Sequence, residues 1–290
     1  MPPFSHFPET RYALPRTGTA HGPKQDGIRE MLLALDIGNT SIHIGLSDGE
    51  RIADTWRIGV AQEKLPDEYG VLLMTLLGSG GIEPRDVTAC IIGCDVPPLI
   101  PTFEQVCRKY FRIEPMVVGH GLRTGVRILY DNPKQLGADR IIDAVAASRL
   151  YGTPVIVVDF GTATVFDAVN EQGDYLGGAI APGIGIASEA LFSRAAMLYR
   201  VQLERPPVAI GKNTIHAMQS GILFGYVGLV EGLVSRFKAE LGGNPRVVAT
   251  GGLSPLIASE TDCIDIVNGD LTLIGLRLIY ELNAEGRTGA

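Results

Sequence analysis

Two stretches of this chain repeat one local pattern, and that repeat limits the folds open to it. "MLLALDIGNTSIHIGLSDG" (31–49) and "PVIVVDFGTATVFDAVNEQGDYLGG" (154–178) each begin as an apolar run that stops at an aspartate. One residue, a glycine, small hydroxyl or amide residues, an alternating strand and an acidic-Gly turn then follow. Matching Asp36 with Asp159 and Gly38 with Gly161 sets the copies 123 residues apart. That period is too long for a solenoid and fits two homologous domains in one chain. Each copy has to be a buried central strand that turns back into an antiparallel partner, as the period-two alternation of "SIHIGLS" and the Asp48-Gly49 turn require.

The rest of the chain alternates strands and helices, which indicates an α/β protein. A third strand is expected through "RIADTWRI", a helix over 67–78, a strand at "VTACIIG", a helix from Pro98 to about Phe111 and a short strand at "PMVVG". Long helices are expected over 213–241 and 270–285, with the strand "RVVAT" between them. Residues 1–30 are rich in proline and lack apolar periodicity, so they read as a disordered extension. Either this extension is genuine or the working start is Met31. The expected domains are 31–150 and 151–290.

Of the 290 residues, 46% are hydrophobic and 20% charged, and the formal charge of −7 carries no basic run longer than two residues. A general nucleic-acid surface needs clustered Lys and Arg and is not expected, so any anionic ligand must be met locally. Four cysteines, at 90, 94, 107 and 263, lack the paired CxxC spacing of a zinc site and read as reduced thiols. No apolar stretch approaches a membrane span and no signal-peptide core precedes residue 30, so a cytoplasmic protein without membrane partners is expected.

Where each central strand stops, glycine lets the chain turn so that backbone N–H groups and the side chains of Asn39, Thr40, Thr162 and Thr164 line one cavity. Such a cavity suits phosphate oxygens. The aspartates supply what the donors cannot, a carboxylate that holds a cation against the phosphate charge, directly or through water. A strand-ending turn in which Asp or Asn accepts from its own backbone would explain either copy alone; two copies in matched contexts argue against coincidence. Between them, "YDNPKQLGADRIIDAVAASRLYG" (130–152) puts Asp139 and Arg140 near the start of a helix, where a carboxylate could act as base toward an attacking hydroxyl. An Asp favouring the helix dipole and an Arg in a surface ion pair would account for the same two residues. In "IGKNTIHAMQSGILFGYVGLVEGL" (210–233), Asn213 or Thr214 is a natural helix cap. Glycines 221, 225, 228 and 232 let one face of that helix lie close to another helix or subunit, and His216 reads as a packing or capping residue. Gly251-Gly252, at the end of "RVVAT", could admit a flat adenine.

These motifs, in this order from Met31 to about residue 285, resemble a known family. Asp36-Ile-Gly-Asn-Thr40, Asp159-Phe-Gly-Thr-Ala-Thr164 and Ala249-Thr-Gly-Gly252 are similar to the two phosphate motifs and the adenosine motif of the acetate and sugar kinase, heat-shock chaperone and actin superfamily. Pro133 to Arg140 and Gly211-Lys-Asn-Thr214 resemble those of type III pantothenate kinases. The resemblance implies two similar actin-like (ribonuclease H-like) α/β domains with mixed five-stranded sheets and a nucleotide cleft between them. It implies ATP-dependent phosphorylation of pantothenate to 4′-phosphopantothenate, the first step of coenzyme A biosynthesis. Carried over, Asp139 is the general base, and Tyr130, Gly137, Ala138, Asp139, Arg140 and Thr214 hold pantothenate. ATP falls to Asp36, Ile37, Gly38, Asn39, Thr40, Ser41, Ile42 and His43, with Gly161, Thr162, Thr164, Gly251 and Gly252. Asp159 would bind the monovalent cation, K⁺ or NH₄⁺, and Asp36 would serve Mg²⁺ through water; the family is a homodimer. Val165 stands where the family has a further Thr, and residues 1–30 have no counterpart. Another small-molecule kinase or a phosphatase of the superfamily, or a regulatory protein on this fold, are the alternatives.

Overall fold

The computed structural model describes residues 30–49, 51–119, 121–195 and 197–284, so the expected extension lies outside the described residues apart from Glu30. Contacts divide the described chain into two units, residues 30–150 with 270–284, and residues 151–269.

The first unit opens with three antiparallel strands, β1 (Met31–Ile37), β2 (Ser41–Ser47) and β3 (Ile52–Gly59). Helix α1 (Pro66–Ser79) leads to β4 (Val87–Cys94), parallel to β1. Helix α2 (Ile100–Val106), continued as a π turn through Phe111, leads to the short β5 (Met116–Val117) and β6 (Arg127–Ile128), and then α3 (Ala138–Tyr151). The sheet order is β3-β2-β1-β4-β5. Strand β1 is covered on both faces. Leu33, Leu35 and Ile37 join the core with Tyr69, Leu73 and Phe103, while Leu32 and Ala34 meet Ile142 and Val145 of α3. A strand buried on both sides reads as a continuous apolar run, which is why "MLLAL" does not alternate.

The second unit repeats the plan with β7 (Val155–Phe160), β8 (Ala163–Val169) and β9 (Asp174–Pro182). Then come α4 (Ile184–Arg194), α5 (Thr214–Leu241), β10 (Arg246–Thr250), α6 (Ser254–Ala258) and β11 (Ile266–Val267). Within this unit the strands run β11-β10-β7-β8-β9, the order of the first unit with each strand replaced by its counterpart. The duplication legible in the sequence is therefore a duplication of topology. Its two hairpins differ by one residue: Ile37 pairs with Ile42, but Phe160 pairs with Thr164. Asp36 accordingly stands opposite His43, and Asp159 opposite Val165.

Two expectations need correction. The last helix, α7 (Leu271–Ala284), was expected in the second domain, yet it packs on β1, β2 and β4 of the first unit and buries Leu273, Leu276 and Ile279 with Leu32 and Ala34. Its apolar stripe would suit either sheet, so the pattern alone does not choose. Helix α5, over 28 residues, is also long and apolar enough to cross a membrane by length and composition. One side of it, with Ile222, Leu223, Val230 and Val234, belongs to the core of the second unit. Gly221, Gly225 and Gly228 face open space within this chain.

Candidate active site

The carboxylates of the first unit gather where β1 and β4 end. Gly38 N–H donates to the Ser41 carbonyl at 3.1 Å, tightening the β1–β2 turn and leaving Asn39 and Thr40 exposed at its tip. Asp36 is only partly buried, whereas its neighbours Ile37 and Ile42 are fully enclosed core residues. Their side chains pack into the core beneath the turn.

His43 is nearly buried, with Nδ1 3.4 Å from Arg57 Nη2 and Nε2 3.8 Å from Asp270 Oδ1. Burial, reinforced by the Arg57 charge, holds its pKa down to about 4, so the ring is neutral at physiological pH. It ties β2, β3 and the start of α7 together beside Asp36.

Asp139 sits in the first turn of α3, its Oδ1 accepting from Arg140 N–H at 2.7 Å. Arg140 is not the surface cation its position allowed. It is 7% exposed, with its guanidinium carbon 5.9 Å from the centre of the Tyr130 ring. Gly137 is required by closeness, since a Cβ there would lie 2.5 Å from Asp139 Oδ1 and 3.4 Å from Asp95 Oδ1. Tyr130, Gly137, Ala138, Asp139 and Arg140 thus stand together in one unit.

Asp95 is the residue that sequence reasoning missed. It follows β4 directly, its N–H donating to the Ile37 carbonyl at 3.0 Å, one step beyond the ladder pair Ile37–Cys94. Burial first, and then the Asp139 and Asp36 charges, push its carboxyl up to about 8. A signal was available: Asp95 ends an apolar strand just as Asp36 and Asp159 do.

In the second unit, Asp159 ends β7 and is closed in by backbone. Gly251, with φ +86°, approaches so near that a Cβ would lie 2.5 Å from Asp159 Oδ1 and 2.7 Å from the Phe160 carbonyl oxygen. A Cβ on Gly161 would meet Asp159 Oδ2 at 3.1 Å, and Gly183 packs on the carbonyls of Gly161 and Thr162. The neighbourhood of Asp159 is therefore oxygen-rich, a carboxylate with main-chain carbonyls. Thr164 was expected beside Thr162 at the phosphates, but it is fully buried and its Oγ1 has no partner, while Thr162 is partly open. Thr164 pairs with Phe160 in the ladder, which turns it toward the core. Thr214 begins α5, where the Asn213 side chain accepts from His216 N–H at 2.9 Å. It lines a cavity of about 790 Å³ with Lys212, Met218, Ile222 and Tyr226. Among the described residues no cluster of three or more His, Cys, Asp or Glu side chains could hold a metal ion.

The sequence model of type III pantothenate kinase matches residues 32–236, which include Asp36, Asp95, Asp139, Asp159 and Thr214. The chain belongs to the type III pantothenate kinase family. A type III pantothenate kinase from Roseiflexus sp. (strain RS-1) is 57% identical over 253 residues, 87% of this chain and 99% of that one. Another, from Geobacillus kaustophilus, is 53% identical over 255 residues, 88% of this chain and 99% of its own length. Among solved structures, a Campylobacter jejuni protein described under the Baf family of transcriptional activators superposes with a TM-score of 0.56 at 18% identity, covering 87% of this chain and 99% of that one. That likeness carries the fold alone.

Proposed function

We infer that this chain is a pantothenate kinase, transferring the γ-phosphoryl group of ATP to the primary hydroxyl of pantothenate to give 4′-phosphopantothenate for coenzyme A synthesis. Family membership over most of the chain carries that conclusion. The residue roles are our own reading. Asp139 accepts the hydroxyl proton as the oxygen attacks Pγ and the bond from Pγ to the ADP oxygen breaks. Its support is the position at the start of α3 beside Arg140 and Tyr130, and phosphoryl transfer asks mainly for such positioning and for charge neutralisation. Tyr130, Gly137, Ala138 and Arg140 hold pantothenate in the first unit, and Thr214 offers it a hydroxyl in the second.

The turn at 38–41, with Asp36 behind it, and the turn at 161–162 each present donors to ATP phosphates. Gly251-Gly252 is left for the base of the nucleotide. Asp36, a single partly exposed carboxylate, fits Mg²⁺ that keeps most of its waters, and the ion would neutralise phosphate charge. The Asp159 carboxylate, with the Phe160 carbonyl close to the same glycine, would hold K⁺ or NH₄⁺, which would add positive charge beside the nucleotide. The open glycine face of α5 is the seam of a homodimer, and the enzyme works in the cytoplasm.

ADP release with pantothenate, Mg²⁺ and either K⁺ or Na⁺ tests this reading. Turnover in K⁺ that vanishes in Asp139→Asn, with ATP binding intact, is expected. Turnover absent in both salts would sink it. Asp159→Ala should remove the K⁺ dependence along with most of the activity.

A further inference from the structure

Helix α3 begins without a side-chain cap of its own, because the residue before Ala138 is Gly137. Apart from that of Arg140, which donates to Asp139 Oδ1, its first-turn N–H groups need acceptors from elsewhere. The carboxyl of Asp95 comes from the end of β4 toward that gap, close enough for the side chain and main chain of Asp139 both to act on its proton affinity. Its Oδ1 and that of Asp139 converge over Gly137, where no Cβ intervenes. The supporting segment is stiff. Asp95 N–H continues the β1–β4 ladder, and Pro97-Pro98 begin the turn that follows.

We propose that Asp95 is a positioning residue for the base: reaching across from β4, it caps the first turn of α3 and fixes the Asp139 carboxylate in the orientation that receives the pantothenate proton. A carboxyl can accept from the main-chain N–H with one oxygen and, when protonated, donate to the Asp139 carboxylate with the other. Its raised pKa is consistent with the protonated form at neutral pH. The one Asp95 oxygen that is buried without a partner, Oδ1, lies on the side facing Gly137, where such a proton would serve. A neutral neighbour also leaves the negative charge on Asp139, whereas a second carboxylate there would repel it.

This inference rests on Asp139 being the base, and the two can fail separately. In the full-length enzyme at pH 7, kcat and KM for pantothenate are measured for Asp139→Asn, Asp95→Ala and Asp95→Asn. Asparagine keeps one acceptor and one donor in the same shape. The expected pattern is an inactive Asp139→Asn, an Asp95→Ala whose kcat falls by up to roughly 100-fold with KM little changed, and an Asp95→Asn within a few-fold of wild type. An Asp95→Ala enzyme with wild-type kcat, beside an inactive Asp139→Asn, overturns the positioning role and leaves the base intact. An active Asp139→Asn overturns the base, and the catalytic part of the inference with it. The capping contact is read without turnover by amide hydrogen exchange at Asp139 and Arg140. Protection lost in Asp95→Ala and kept in Asp95→Asn supports it, and equal protection in all three proteins overturns it. Should Asp95→Ala not fold, Asp95→Ser takes its place in both measurements.

Discussion

At the scale of single residues, acidic groups crowd the ends of β1 and β4 and the start of α3. Burial, and then the charges of Asp139 and Asp36, raise the proton affinity of Asp95. His43 shows the opposite response, since burial and Arg57 disfavour its cation. Its folded pKa of about 4 lies below the 6.5 of an unfolded histidine, so on acidification the unfolded chain takes up this proton first. The contribution is whole above about pH 6.5 and is lost as pH falls toward 4, to a limit of about 3 kcal/mol. His43→Gln should therefore flatten the acid side of the stability profile relative to wild type. Denaturant midpoints measured at pH 7, 6, 5 and 4 check this, and parallel curves for the two proteins would show that His43 is not held neutral.

At the scale of elements, the first unit is finished by a helix from the far end of the chain. Three close approaches seat it. Gly45 on β2 leaves room for Leu273, with Cδ1 2.9 Å from where a Cβ would be. Gly93 on β4 does the same for Ile142 and Leu276, and Gly275 on α7 lies against the backbone of Ile142, with Ile142 Cγ2 2.6 Å from its would-be Cβ. Helices α3 and α7 are thus fitted to each other and to the sheet below. Gly275→Val should push α7 away from α3 and destabilise the fold by about 1–3 kcal/mol. A lowered midpoint in denaturant measures it; an unchanged midpoint would mean that the two helices are free to separate without loss. Because α3 carries Asp139 in its first turn, the same variant is expected to lower kcat as well.

At the scale of the whole molecule, one plan is used twice, and the proposed homodimer can be tested on the surface of the second copy. Gly221, Gly225 and Gly228 leave a smooth exposed strip on α5, so a second helix can approach it closely. Gly225→Arg should convert a dimer to a monomer, detected by analytical ultracentrifugation, while circular dichroism stays that of the folded chain. A dimer that persists would move the seam elsewhere. Much of this architecture was legible in the sequence. Alternation, apolar runs and the paired Asp-x-Gly turns depend on residues a few positions apart, so local periodicity located β1, β2, β7 and β8, and with them the strand-end aspartates. Asn213 as a cap and the glycine strip were equally local. Other features rest on what covers a face or approaches from a distance. The apolar stripe of α7 does not choose between two similar sheets, and the one-residue difference between hairpins turns Thr164 into the core. Arg140 is buried although a helix start could equally have left it at the surface, and Asp95 comes near Asp139 only because β4 ends beside the start of α3. The sequence by itself determined that two apolar strands would each stop at an aspartate and turn back into an antiparallel partner. Only the tertiary structure decided which third carboxylate stands beside Asp139, because charge interactions depend on distance in space and burial on the elements that close over a site.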